Sequence, residues 1–247
     1  MALLTTEGLT KRFGGLTAVD AVTFAVEAGD LVGIIGPNGA GKTTLFSLLS
    51  GFLRPDLGAV VFKDRRISGR PPHRIVDQGL ARTFQVVRPF TNMTVLDNVA
   101  TACVSPRARR MAGGRDVWLH AMEIIAAVEL EKKAAQPVET LPFGDLRRLE
   151  IARALATHPE LLLLDEPFSG LSILEAAPLV TLIGTLARRG TTILIVEHKL
   201  RELMQLVTRV IVMQFGQIIA EGPPAVVAQS PRVVEAYLGG TMSVPLR

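Results

Sequence analysis

Three groups of residues carry chemistry that their types and spacing make legible. The stretch Gly36-Pro37-Asn38-Gly39-Ala40-Gly41-Lys42-Thr43 is a full G-x-x-x-x-G-K-[ST] phosphate-binding loop. Its glycines take backbone angles closed to other residues, so that successive N–H groups turn inward onto phosphates, and the helix that follows adds its positive end. Lys42 supplies a point charge for the outer phosphates, the Thr43 hydroxyl is placed for Mg²⁺, and Thr44 extends the cradle. Asp165-Glu166 ends an apolar run with paired acids, one suited to Mg²⁺ and one to an attacking water. His198 and Gln85 each close another strand-like run. Together these groups describe a site that binds a nucleoside triphosphate and hydrolyses it.

The elements that must position them follow from hydrophobic period. The runs Leu31 to Ile35, Leu161 to Leu164 and Thr191 to Val196 read as buried strands of a parallel sheet, because helical patterns separate them. One of these is a helix in which Leu179, Leu182, Ile183 and Leu186 share a face; Ser172 and Glu175 have capping-box spacing, and Pro178 is expected to bend its first turns. In front of the loop, Leu9 to Phe13 and Ala18 to Val26 read as antiparallel strands, joined later by Gly58 to Phe62 and Ile67. Phe13, at a strand end, is a candidate platform for a nucleotide base.

Further along, Leu80 to Gln85 reads as a strand ending in a polar amide, and Thr94 to Cys103 and Val117 to Leu130 as helices. The basic stretch Arg107 to Arg115 reads as a solvated loop, two strands flank a glycine turn near Gly216, and two short helices finish the chain.

Composition narrows the class further. The 247 residues are 48% hydrophobic, enough for a substantial core. One cysteine, Cys103, excludes an intrachain disulfide and fits a reducing compartment. No window has the apolar length of a membrane span, and the first residues lack the pattern of an export signal. A net charge of +4 with 5% aromatics is weak support for nucleic-acid binding, and no such partner is expected. His73, His120, His158 and His198 share no zinc-ligand spacing.

The stretch Leu141-Pro142-Phe143-Gly144-Asp145, with its following Leu146 to Leu155, resembles the signature loop and helix of ABC transporter ATP-binding subunits, and it stands upstream of the Asp165-Glu166 strand as that family requires. The resemblance covers nearly the whole chain. It implies one ABC ATP-binding domain over 1–247: an α/β P-loop NTPase (RecA-like) core, a small antiparallel β part over about 1–30 and 58–68, and a helical signature part over about 86–158. It further implies ATP and Mg²⁺ as cofactors, Glu166 as general base, Asp165 on the Mg²⁺ side and His198 as switch histidine. Gln85 would sense Mg²⁺ and water, Phe13 would stack on adenine, Gly144 would meet the partner's nucleotide, and Ser169 to Ser172 would communicate between two sites.

Two departures stand out. Pro142 takes the place of the usual signature serine, which predicts unequal ATP sites if the partner keeps its serine, and Ser172 replaces an aspartate common in the inter-site loop. With Ala81 to Gln85 and the ending Glu235-Ala236-Tyr237-Leu238-Gly239, the variants resemble the branched-chain amino-acid uptake group. The implied partners are a second, usually different, ATP-binding subunit, two transmembrane permease subunits contacted through a groove over Val86 to Leu96, and indirectly a solute-binding protein. The implied location is peripheral, on the cytoplasmic face of the plasma membrane. Rival readings are the ATPase of a lipid or lipopolysaccharide exporter, a non-transport ABC ATPase of translation or DNA repair, and a small-molecule phosphotransferase.

Overall fold

The structure, a computed structural model, describes residues 2–238; Gly239, the last residue of the diagnostic ending, lies outside the described residues. The chain opens with β1 (Ala2–Phe13), β2 (Leu16–Glu27) and β3 (Leu31–Ile35), then α1 (Lys42–Leu49), β4 (Leu57–Phe62) and β5 (Arg65–Arg66). It continues through α2 (Pro72–Gln78), β6 (Leu80–Arg82), α3 (Val95–Cys103), α4 (Pro106–Ala112), α5 (Val117–Ala127) and α6 (Phe143–Leu155). The second half contains β7 (Leu161–Asp165), α7 (Ile173–Arg188), β8 (Thr192–Val196), α8 (Leu200–Leu206), β9 (Arg209–Gln214), β10 (Gln217–Gly222), α9 (Pro224–Ala228) and α10 (Pro231–Leu238).

Six strands form one sheet in the order β10-β9-β3-β8-β7-β6, parallel except for the β9–β10 hairpin. Every residue of β3, β7 and β8 is buried, which explains why they are apolar but for Asp165 at the end of β7 and Thr192 at the start of β8: helices cover both faces. Alternate residues serve opposite cores. Leu162, Leu164, Ile193 and Ile195 pack with Leu179 and Leu203, whereas Leu161, Leu163, Leu194 and Val196 pack with Leu45 and Phe46 of α1. The carboxyl ends of β3, β8 and β7 therefore lie side by side at one edge, the place where open parallel sheets bind ligands.

The second sheet is antiparallel, in the order β2-β1-β4-β5. Its first strand begins at Ala2, seven residues before the apolar run at Leu9, because Leu3 and Leu4 are also buried. Helices α3, α5 and α6 share the larger core and form the helical part between the two halves of the parallel sheet. Among the described residues no helix is long and apolar enough to cross a membrane.

Two expectations need correction. The basic stretch Arg107 to Arg115 is not a solvated loop: most of it is α4, begun by Ser105, whose side chain accepts from the Ala108 N–H, with Pro106 in the first turn, and ended by Gly113 at φ 60°. Arg107 is buried because its guanidinium donates to the His158 carbonyl and to Glu160 Oε1, both at 2.8 Å. Charge density suggested solvent, but the caps and a buried acceptor pair decided otherwise. The strand toward Gln85 also stops early, at Arg82. The Phe84 N–H is taken by Glu150 Oε1 of α6 at 2.6 Å, which draws the chain out of the sheet three residues before the amide.

The capping box at Ser172 and Glu175 is present, and α7 runs through Pro178 without interruption.

Candidate nucleotide site

The phosphate loop joins β3 to α1, and its glycines are required by geometry at two positions. A Cβ at Gly41, where φ is 98°, would stand 2.2 Å from the Ala18 carbonyl oxygen, and one at Gly36 would stand 2.1 Å from that of Met213. Only glycine fits both the angle and the space. Helix α1 has Gly41 as its N-cap and no side chain closing its first turn, so its leading N–H groups stay available. The Lys42 ammonium donates to the carbonyls of Gly36 at 2.7 Å and Pro37 at 3.0 Å. Burial lowers its pKa to about 8, against the opposing pull of Glu166 and Asp165.

At the ends of β7 and β8 the polar groups converge. Glu166 sits at φ 48°, uncommon for a non-glycine residue and the kind of strain that gathers at functional sites. Its Oε1 lies 2.8 Å from His198 Nε2, and its Oε2 accepts from Gln85 Nε2 at 2.9 Å. A carboxylate, an imidazole and an amide from positions far apart in sequence thus form one cluster. They line a cavity of about 750 Å³ together with the loop from Asn38 to Thr44 and with Phe13. Gly36 and Pro37 are absent from that lining; their carbonyls hold Lys42 instead. Gly144 is also absent, at the start of α6.

Asp165 faces an adjoining cavity of about 570 Å³, shared with Thr43 and Gln85. A hydroxyl, a carboxylate and an amide oxygen are hard donors of the kind a small divalent cation takes. One carboxylate oxygen, Oδ2, is engaged by Arg82 at 2.7 Å, and the same guanidinium donates to Ser50 Oγ at 3.0 Å and Ser47 Oγ at 3.2 Å.

Sequence reasoning missed Arg82 and Glu197. Arg82 was legible only as a charge inside an apolar strand. Glu197 is fully buried; its Oε1 accepts from the Phe168 N–H at 2.7 Å, and its Oε2 from the N–H groups of His198 at 2.8 Å and Lys199 at 3.0 Å. Burial pushes its carboxyl up, and the three N–H bonds oppose that shift. This one carboxylate ties the segment after Glu166 to the segment that carries His198. A second tie runs from Lys199 Nζ to the Leu171 carbonyl. The signal available in advance was its position, an acid directly after the apolar run Ile193 to Val196.

The loop Ser169 to Ser172 is held from the other side by α6. Arg147 donates to the Ser169 carbonyl at 3.2 Å, and Gly170, at φ 80°, lies so close to the Phe143 ring that a Cβ there would stand 2.9 Å from it.

This arrangement has counterparts. The family model for ABC transporters matches residues 19–169, and that for branched-chain amino acid ATP-binding cassette transporters matches residues 217–241. The high-affinity branched-chain amino acid transport ATP-binding protein BraF of Pseudomonas aeruginosa is 38% identical, over 96% of this chain and 98% of its own. LivG of Escherichia coli, a protein of the same description, gives the same identity and the same coverage. A nucleotide-free ATP-binding cassette from an ABC transporter superposes with a TM-score of 0.86 at 33% identity, covering 96% of this chain and 99% of that one. The ADP conformation of such a cassette superposes equally well, at 34% identity over 97% and 99%. With loop, paired acids and fold matched along nearly its whole length, the chain belongs to the ATP-binding cassette ATPases of ABC transporters.

Proposed function

We propose that this chain powers import of branched-chain or related amino acids by binding and hydrolysing ATP on the cytoplasmic face of the plasma membrane. The observation that carries the proposal is the cluster of Gln85, Glu166 and His198 in one cavity with the phosphate loop. The similarity to BraF and LivG supports the substrate class.

In this reading the triphosphate lies along Asn38 to Thr44 and the N-terminus of α1, and Lys42 leaves the loop carbonyls for the outer phosphates. Glu166 takes the proton from the attacking water, His198 holds the terminal phosphate, and Gln85 orients the water. Thr43, Asp165 and Gln85 would hold Mg²⁺, which when bound neutralises charge on the phosphates. Phe13 offers its half-exposed ring to adenine.

Gly144 and the start of α6 serve the site of a second ATP-binding subunit, so two chains complete each other. Because Pro142 offers no hydroxyl, the site completed by this chain is the weaker of the two if the second subunit keeps its signature serine. The exposed side chains of Phe52, Phe84 and Val86 around the cavity beside Gln85 support a groove for the two permease subunits. A solute-binding protein acts on the far side of those permeases.

The deciding experiment is Glu166→Gln in the assembled transporter. Turnover should fall by about 10² to 10⁴ while ATP affinity is retained. Hydrolysis at close to the parental rate would remove Glu166 from the role of base.

A further inference from the structure

The β9–β10 hairpin turns through Phe215 and Gly216, at φ 48° and 81°. Two successive left-handed residues make the hairpin turn that Asn-Gly or Asp-Gly favours, and a bulky aromatic at its first position is uncommon. The ring is not there to fill the core, because Phe215 is 82% exposed. It lines the same cavity as Phe13, the last residue of β1.

The turn that carries this ring is fixed on two sides. The Gly216 N–H donates to the Ala40 carbonyl of the phosphate loop at 3.1 Å, and the Gly216 carbonyl accepts from the Asp20 N–H at 2.9 Å. Gln217 Nε2 donates to Asp20 Oδ2 at 2.7 Å. An exposed apolar ring on a strained backbone is therefore held at a set height above the loop.

We propose that Phe215 is a second aromatic surface of the base pocket, covering the nucleotide base together with Phe13. The proposal rests on reading this cavity as the ATP site. Stacking on a ring needs no particular base edge, so the pocket gains affinity through apolar contact with the purine, while Lys42 and the loop take the phosphates. The strained turn residue is then explained by the ligand, since free protein gains nothing from the exposed ring.

The test titrates the full chain with ATP and, separately, with inorganic triphosphate, which has no base. Phe215→Asn removes the ring and keeps a residue that accepts the left-handed turn; Phe215→Trp keeps an aromatic face. Phe215→Asn should bind ATP about tenfold more weakly and triphosphate within about twofold of the parent, with Phe215→Trp close to the parent for both. Unchanged ATP affinity in Phe215→Asn overturns the proposal, as does an equal loss for triphosphate, which would mean that the turn acts through Ala40. Phe13→Ala separates the two readings. A base-dependent loss in Phe13→Ala without one in Phe215→Asn removes Phe215 alone. A parent chain that binds ATP no better than triphosphate removes the base pocket as a whole.

Discussion

Helices α3 and α7 begin with complete capping boxes, whereas α1 and α6 begin with no side-chain cap at all. In α3 the Thr94 hydroxyl accepts from the Asp97 N–H at 3.1 Å, and Asp97 reaches back to the Thr94 N–H at the same distance. In α7 Ser172 and Glu175 exchange the same bonds, at 3.3 and 2.8 Å. The Thr94 and Ser172 hydroxyls also donate to Asp97 Oδ2 and Glu175 Oε2, both at 2.7 Å, and these bonds, with the backbone N–H bonds to the same carboxyls, lower the pKa of Asp97 and Glu175. The caps of α1 and α6 are Gly41 and Pro142, which have no side-chain acceptor to offer. Unpaired N–H groups at a helix start are costly when buried and useful when an anion is to be met. Helices α2, α8 and α9 also start without a side-chain cap, but α1 and α6 are the uncapped starts that the family reading assigns to phosphate.

This division can be broken at the open end first. Gly41→Ala pushes a Cβ against the Ala18 carbonyl in a backbone region that alanine avoids. ATP affinity should drop by about a hundredfold or more, with the far-ultraviolet circular dichroism of the parent retained. Parental affinity, measured by titration with a fluorescent ATP analogue, would show that the loop does not need its observed shape.

A smaller effect follows from Lys42. In the free chain its pKa is about 8, below the ordinary value, and phosphates would raise it. Binding therefore takes up a proton once the pH exceeds about 8. Affinity should be flat below that pH and fall by up to about tenfold for each unit above it. Calorimetry in two buffers of different ionisation enthalpy reads the proton directly; no buffer dependence at pH 9 would place the charge elsewhere.

The smallest effects belong to the closed ends. Thr94→Ala and Ser172→Ala should each lower unfolding free energy by about 1 kcal/mol in urea titrations and leave ATP affinity unchanged. A loss of ATP binding in Thr94→Ala would mean that the caps of the helical part also set the site.

Much of this was legible along the chain because the features concerned are local. The phosphate loop, the capping box at Ser172 and the apolar strands ahead of Asp165 and His198 depend on residues within a few positions of one another. The same locality misled at Arg107, where charge pointed to solvent while its acceptors at His158 and Glu160 lie about fifty residues away. It also hid Arg82, whose partners lie on two other segments, Ser47 and Ser50 on α1 and its C-cap and Asp165 at the end of β7.

The sequence by itself determined the chemistry on offer: a loop that must be glycine, a lysine, paired acids, and strands apolar enough to be covered on both faces. Backbone angle limits and hydrophobic period act over short distances, so those statements need no fold. Only the tertiary structure decided that Gln85, Glu166 and His198 touch, that Glu197 joins two loops through three N–H bonds, and that Phe215 shares a cavity with Phe13. The contacts of Glu166 and Glu197 come from the order in which parallel strands pair, and the meeting of Phe215 with Phe13 from the way the antiparallel sheet stands against the β9–β10 hairpin, so that residues far apart in the chain are set side by side.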